Sequence, residues 1–559
     1  MADMGNPFKD NSGDLLVLDS RIVADHTVVD SVQQMEQVGQ ERSQTFFQDR
    51  LIARTTPIQD TITKAKLPLF VKNATKEKTR TQKQLTSLKR DRNLFSTLYI
   101  VCQVRDTDMD DFFSHENQSY PPSLSDYGAM RCGTKSDLLV CIDDLVPNHD
   151  TVIPREAQMV ILDGAAIINM IKPGTAESFN DYIMKIMEYI RGQFTGDVVR
   201  VDMVFDVYKK GSLKASTRQK RGKGVRRRVE GKHKVPSNWP EFLRENDNKT
   251  ELFHLISQHI TKVDFPGMVI VTDDEQVLSS APYNNVGLMN CDHEEADTRM
   301  FLHAAEGARH GMKKIMLRTV DTDVVVISIS LAKKIGCDSL WLAFGTGTTF
   351  RYFDATAMAH SLGDDKCSAL PAFHALTGCD VTSSFSGKGK RTAWSTWNTF
   401  NDATAALGTL AATPTSEDIL RVLPVIERLI VIMYDRGSPE SSVNTASQVL
   451  FTQKGREIEN IPPTQDALAQ HLFRVGYQAG HVWSQAMTKK PQLPSPAEFG
   501  WIWNESSTEW NIKWMNLAPA GEACRAVIKC GCTKGCRGRC KCKKADLACT
   551  TLCACGGCE

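Results

Sequence analysis

No stretch of this sequence approaches the ~18 consecutive apolar residues of a membrane-spanning helix. The longest apolar runs, at 324–327 and 429–433, read as buried core elements instead. The first thirty residues lack a basic start followed by an apolar stretch, which predicts no secretory leader. An excess of either charge is also missing. The 67 lysines and arginines meet 66 aspartates and glutamates, for a net charge of +1, so whole-chain charge selects no partner. There is no internal repeat. These absences point to a soluble intracellular protein with no membrane role; its oligomeric state is not readable.

What is present is a long chain with unevenly placed chemistry. At 559 residues it exceeds one core, and about 150 residues per domain suggests three or four units. An apolar fraction of 41% and a charged fraction of 24% are those of an ordinary globular protein. Of 17 cysteines, seven are scattered between Cys102 and Cys379 and ten crowd between Cys524 and Cys558. Without a secretory leader, such crowding reads as metal binding and not as a disulfide framework.

Residues 1–150 form an N-terminal region of unknown role, partly helical, with a helical stretch at 33–51. The run 72–92 carries eight basic and two acidic residues. From about 155 the texture becomes alternating. Strands are expected at 159–162, 199–205, 268–272, 314–320 and 339–344. Helices are expected at 176–191, 251–262, 294–310, 324–335 and 369–376. This alternation predicts an α/β unit over 155–400, with a mainly parallel central sheet and flanking helices, whose chemistry sits at the carboxyl ends of the strands. A helical extension follows over 401–490, including 417–434 and 465–486. A proline-marked linker and Trp-rich hairpin occupy 491–520, and a cysteine module occupies 521–559.

The cysteine spacing is Cys530-x-Cys532-x3-Cys536-x3-Cys540-x-Cys542-x6-Cys549-x3-Cys553-x-Cys555-x2-Cys558, nine thiols in 29 residues. Zinc takes four thiolates in a tetrahedron. Nine thiolates serve about three zinc ions if six bind one ion each and three bridge two. The segment has too few large apolar residues for a core, so metal must supply its folding free energy. Eight basic residues between Arg525 and Lys544 offset the cluster's negative charge. Lys541-Cys542-Lys543-Lys544 and Cys549-Thr550 through Cys553-x-Cys555 resemble the tesmin-type CXC domain, a zinc module of chromatin-associated proteins. The resemblance implies DNA or chromatin binding, with Arg539 and Lys541 at the nucleic acid.

The α/β region places acids where strands end. Asp163 follows 159–162, Asp206 follows 201–205, and Asp321 and Asp323 follow 314–320. Glu295 and Asp297 open a helix, and Asp380 ends Leu376-Thr-Gly-Cys-Asp380. Singly, each has a bland explanation as a helix cap or a dipole partner. Gathered at one sheet edge, seven carboxylates repel one another unless cations bind. Hard cations such as Mg²⁺ take oxygen ligands, and two of them about 4 Å apart can hold both the attacking water and the leaving oxygen of a phosphodiester.

The ordered set resembles the PIN-like nucleases of the flap endonuclease family. Leu162-Asp163-Gly164, Val204-Phe205-Asp206, Glu295-Ala296-Asp297, Thr319-Val320-Asp321-Thr322-Asp323 and Asp380 are similar to the family's successive acidic motifs. The resemblance implies two Mg or Mn ions, one near Asp163, Asp206, Glu295 and Asp297, the other on Asp321, Asp323 and Asp380. Phe385-Ser-Gly387-Lys388-Gly389-Lys390 resembles the turn whose backbone approaches a DNA phosphate. The run 209–234, with twelve basic residues and one acid, stands where the family has a helical arch. There Lys214 and Arg221 would hold the scissile phosphate, and Arg226, Arg227 and Arg228 other phosphates. The expected activity is metal-dependent, structure-specific nuclease action on nucleic acid, DNA first, in the nucleus. The alternative is a catalytically silent DNA- or chromatin-binding adaptor that keeps the nuclease fold.

Overall fold

Runs of β-branched and long apolar side chains become the strands of one seven-stranded sheet in the computed structural model. They are β1 (Met159–Asp163), β2 (Arg200–Val204), β3 (Met268–Asp273), β4 (Gln276–Ser279), β5 (Lys314–Thr319), β6 (Ser339–Phe344) and β7 (Arg351–Asp354). Their order across the sheet is β4-β3-β2-β1-β5-β6-β7. The inner five are parallel, and β4 and β7 close the edges antiparallel. All five expected strands are present, within a residue or two of their expected ends. The two edge strands escaped the sequence reading because each is only four residues long and half-buried.

From β1 the chain builds outward on one side through β2, β3 and β4. It then returns to lay β5 against β1 and continues on the other side. The switch point therefore falls between β1 and β5, where open α/β sheets form their binding crevices. β1 and β2 are buried along their whole length, as strands covered on both faces must be. β2 tolerates two charged residues because they pair. Arg200 donates to both oxygens of Asp202 at 2.7 Å and to Glu306 at 2.6 Å.

The structure describes residues 14–17, 21–62, 95, 99, 109–143, 145–146, 156–209, 211–215, 224–284, 286–453 and 457–520, with 531–533, 536–537, 540, 549 and 553–555 of the tail. No helix among them is long and apolar enough to cross a membrane. The chain divides into two compact units. One comprises Met1–Lys78, Ile171–Met187 and Arg221–His259; the other comprises Thr79–Met170, Glu188–Lys220 and Ile260–Glu559 and contains the whole sheet. The basic run expected as one arch is thus split between them. The basic stretch 72–92 lies outside the described residues.

In the first unit, Trp239 stacks on Phe242 at 5.0 Å and Tyr182 lies 4.8 Å from Trp239. The side chain of Asn248 accepts from Arg227 N and donates to the carbonyls of Val225 and Phe242. Arg226–Arg228 run as extended chain, bridged at Arg227 to Ile22, so this part of the expected helical arch is not a helix.

In the second unit, the helices that carry the site are α1 (Asp137–Asp143), α2 (Gly164–Met170), α3 (Ala296–Arg309), α4 (Thr322–Leu331), α5 (Asp364–Leu376) and α6 (Lys390–Thr399). α4 contains Val324–Val326 and Ile327, residues that favour strands, yet it is helical and almost wholly buried, capped by Asp321. Burial on every side outweighs the modest helix penalty of β-branched residues. The expected helical extension is present, with a 19-residue helix at Ser416–Tyr434. Trp501–Asn504 pairs antiparallel with Glu509–Ile512.

Candidate metal and phosphodiester site

The carboxyl ends of β1 and β5 define the crevice. Asp163 is the last residue of β1 and Gly164 follows at once. A Cβ at Gly164 would stand 2.3 Å from the Phe205 ring and 2.9 Å from Val204 O, so only glycine lets the ends of β1 and β2 close so tightly. Asp163 accepts from Ala166 N at 2.9 Å and from Thr319 at 3.2 Å. Burial, then the charge of Asp206, push its pKa up to about 7. Asp206 accepts from Ala296 N at 2.8 Å, which ties the chain after β2 to the first turn of α3.

That turn carries Glu295 and Asp297. Glu295 is the N-cap residue of α3 but makes no side-chain cap; its carboxylate pairs with Lys214 instead. Burial raises its pKa to about 7, against the opposing pull of Lys214. Asp297 is raised well above the usual range, by burial and then by the charges of Asp321, Glu295 and Asp163. Asp321 caps α4 through Asp323 N at 2.9 Å, and burial followed by the Asp323 charge raises it to about 6. Oxygens of Asp297, Asp321 and Asp323 lie within 4.8 Å of one another. This trio cuts across the two groups of ligands expected from sequence.

Asp323 behaves in the opposite way. Burial alone would raise its pKa, but His374 Nε2 at 2.9 Å and the ammonium of Lys135 at 3.0 Å hold it far below the usual range. Lys135 also reaches Asp380 at 2.6 Å and Asp321 at 3.5 Å. Asp380 is likewise held low; burial opposes this, but Lys214, 3.7 Å away, and Lys135 prevail. Both lysines keep their protons in spite of burial, because the surrounding carboxylates raise their pKa values. A cavity of about 250 Å³ opens beside Glu295 and Lys214, between Lys209, Val381, Tyr477 and Trp510.

All seven expected carboxylates therefore meet in one site. Two ammoniums do not balance seven carboxylates. Two like charges 4 Å apart repel by about 4 kcal/mol at an effective dielectric constant of 20. Burial raises Asp163, Glu295, Asp297 and Asp321, and like-charged neighbours add to the rise. An all-oxygen donor set with an uncompensated charge fits Mg²⁺ or Mn²⁺.

Sequence reasoning missed Lys135, His374 and Thr319. Nothing in Gly-Thr-Lys135 marks it, since it lies more than 180 positions from the carboxylates it meets. Other expected contacts require correction. Lys390 is buried, with Nζ donating to His374 O at 2.9 Å and Thr377 Oγ1 at 2.8 Å, so it faces no phosphate. Gly387 and Gly389 are exposed and Lys388 half-buried, in a turn closed by Phe385 and Lys388. Arg228 pairs with Glu251 at 2.7 Å and Asp14 at 2.6 Å, and Arg226 pairs with Glu251. These ion pairs hold the first unit together. Arg221, Arg539 and Lys541 lie outside the described residues.

In the tail, the described cysteines gather. Ligand atoms of Cys532, Cys536 and Cys540 lie within 4.8 Å of one another, as do those of Cys536, Cys549 and Cys555. Cys536 belongs to both groups, as a bridging thiolate would. Cys536 and Cys549 sulfurs are 3.4 Å apart and Cys540 and Cys549 4.0 Å apart. Those spacings exceed a disulfide bond and bracket the ~3.8 Å edge of a tetrahedron with ~2.3 Å zinc–sulfur bonds. The residues present therefore fit zinc. Cys530, Cys542 and Cys558 lie outside the described residues; Cys553 is buried among the others.

No family model and no curated protein matches the chain. Among solved structures, the chain is similar to the flap endonuclease of bacteriophage T5 in complex with DNA and metal ions, at 13% identity and TM-score 0.28, over 59% of this chain and 96% of that one. It is similar to the T5 5′-exonuclease with bound zinc at 14% identity and TM-score 0.28, over 59% and 97%. The catalytic core of Rad2 in complex with DNA aligns at 14% identity and TM-score 0.28, over 61% and 99%. Likeness at this level says nothing of activity.

Proposed function

We propose that this chain is a metal-dependent phosphodiesterase that cleaves nucleic acid, DNA in particular, and that its cysteine tail is a zinc module of the CXC type that holds it on DNA or chromatin in the nucleus. One observation carries the reading: seven carboxylates, drawn from five separate segments, converge at the switch point of a parallel sheet. When bound, a divalent cation supplies charge neutralisation and a water acidified toward neutral pH. The chain's own residues do the rest. Asp163, Asp206, Glu295 and Asp297 would hold an ion, with Asp321, Asp323 and Asp380 facing them. Lys214, next to the cavity, reaches for the scissile phosphate. His374 fixes the orientation of Asp323, so that the carboxylate keeps one face toward the site. The exposed turn at Gly387, Lys388 and Gly389 offers backbone to a more distant phosphate. Arg221, Arg539 and Lys541 would contact further phosphates, and Arg226, Arg227 and Arg228 add positive charge beside their ion pairs.

The test is hydrolysis of labelled single-stranded, duplex and flapped DNA, and of RNA, by the purified chain with Mg²⁺ or Mn²⁺. Cleavage is expected on DNA, and Asp323→Asn should lose a hundredfold or more, equivalent to ~3 kcal/mol of barrier. Equal rates for wild type and Asp323→Asn would mean that the site is misassigned. A catalytically silent adaptor is the second reading. The ammoniums of Lys135 and Lys214 seated among the carboxylates favour it, and a wild type inert on every substrate with both metals would select it. Deleting 521–559 separates anchoring from chemistry: DNA affinity and its salt dependence should fall, because phosphate contacts release counterions, while cleavage at high enzyme concentration persists.

A further inference from the structure

The segment that delivers Lys135 is built into the second unit and does not hang over it. Leu124, Leu138, Leu139 and Ile142 are buried in the main core. Ser384 N donates to Arg131 O at 2.9 Å. A Cβ at Gly133 would stand 2.9 Å from Ser384 Cβ, so the chain passes close against the residues that follow Asp380. Lys135 is the second residue before α1. Its side chain is therefore aimed by a fixed backbone, and at 21% exposure it is largely shielded from solvent.

An ammonium has three N–H donors. The Nζ of Lys135 has three carboxylate oxygens around it, from Asp380 at 2.6 Å, Asp323 at 3.0 Å and Asp321 at 3.5 Å. Those three residues are the ones expected to hold the second of two divalent ions. A divalent ion bound to the same oxygens would have to sit where the ammonium is.

We propose that the ammonium of Lys135 is a built-in replacement for the second divalent cation, so that the site takes a single ion. This rests on the metal-dependent reading above and refines its metal count. A tethered ammonium does not exchange with solvent. The half of the site made by Asp321, Asp323 and Asp380 is therefore charge-compensated at any metal concentration, and only one ion has to be recruited.

Manganese binding to the full-length, zinc-loaded chain tests this without reference to cleavage, with free Mn²⁺ followed by electron paramagnetic resonance. Thiolates prefer zinc, so the tail does not take up manganese in exchange. Wild type should saturate at one Mn²⁺ per chain, Lys135→Ala at two, and Lys135→Arg at one. If Lys135→Ala does not melt cooperatively, Lys135→Gln, which keeps a polar end without the charge, carries the same expectation of two. Two ions on wild type, or one on folded Lys135→Ala and Lys135→Gln alike, would overturn the proposal while leaving the metallonuclease reading intact. No manganese on wild type or either neutral variant would instead remove that reading, and this proposal with it.

Discussion

The carboxylate site collects side chains from positions 163 to 380, each in or close to the end of a strand or helix that is buried for its own reasons. The six described tail cysteines fall between 532 and 555 and, among the described residues, their cluster contains nothing but cysteine. In the first region the fold builds the site and bears the cost of its repulsion; in the second the site has to build the fold. The two should therefore respond oppositely to loss of metal. Structural zinc contributes about 10–16 kcal/mol in small zinc modules, as much as the whole stability of a typical domain. A divalent ion on the sheet only relieves repulsion in a scaffold that already stands.

Withdrawing zinc should give the largest effect. A strong chelator, or Cys540→Ser, is expected to make the tail fully protease-sensitive while the melting transition of the sheet-bearing unit stays within a degree or two. Elemental analysis of the reduced chain should return about three zinc ions. Fewer than two would sink the cluster, and a core that melts along with the tail would end the contrast between the regions.

Within the acidic site the comparison can be made finer, since its carboxylates are not equivalent. Asp323 is held low by His374 and Lys135, whereas Asp297 is raised by burial and then by its like-charged neighbours. Replaced by asparagine in protein free of Mg²⁺ and Mn²⁺, the two should shift stability in opposite directions. Asp323→Asn leaves buried donors poorly matched and should cost about 1–3 kcal/mol. Asp297→Asn removes a repelling charge and should raise the melting temperature by a few degrees, with stability gained on the order of 1 kcal/mol. From sequence alone, Asp323 is expected to be as dispensable to stability as any member of a repelling set. The structure corrects this, because its two cationic partners are visible only once the chain is folded. Equal shifts of one sign would show that the site's charge is spread evenly.

The parts of this molecule that were readable in advance share a physical cause. The five parallel strands are buried on both faces, so their sequences are near-continuous apolar runs, and the acids at their ends interrupt those runs visibly. The zinc ligands are local, so their spacing carries the information. Lys135 and His374 were not readable, because their roles come from contacts between distant segments that no local pattern encodes. Asp273 and Asp274, acids that also end a strand, make the tight β3–β4 hairpin, with Asp274 at a φ of +50°. Lys390 was misread for the same reason in reverse. A Gly-Lys-Gly-Lys turn looks exposed and phosphate-seeking, and nothing local reveals that its last lysine turns inward.

Lys390 supplies the smallest test of how the site is supported. Burial pushes its pKa from the ordinary 10.5 down to about 7. A neutral amine has two N–H groups, and the structure gives them two acceptors, His374 O and Thr377 Oγ1. The uncharged form thus satisfies the end of α5, which carries His374 to Asp323. Above pH 10.5 the amine is neutral in both folded and unfolded chains. As pH falls toward 7, the unfolded chain takes up a proton that the folded chain refuses, so this contribution to stability is lost across that window. Below about 7 both forms are charged and the loss is complete. Wild type should therefore weaken relative to Lys390→Met as pH is lowered from 10 to 7, by up to about 1.4 kcal/mol per pH unit. Chemical denaturation of the two proteins at pH 9 and pH 8 reads this difference, with contributions from the other titrating groups cancelling between them. Curves that stay parallel would mean that Lys390 is buried as an ammonium, and that the helix carrying His374 is held by a charge instead of a neutral amine.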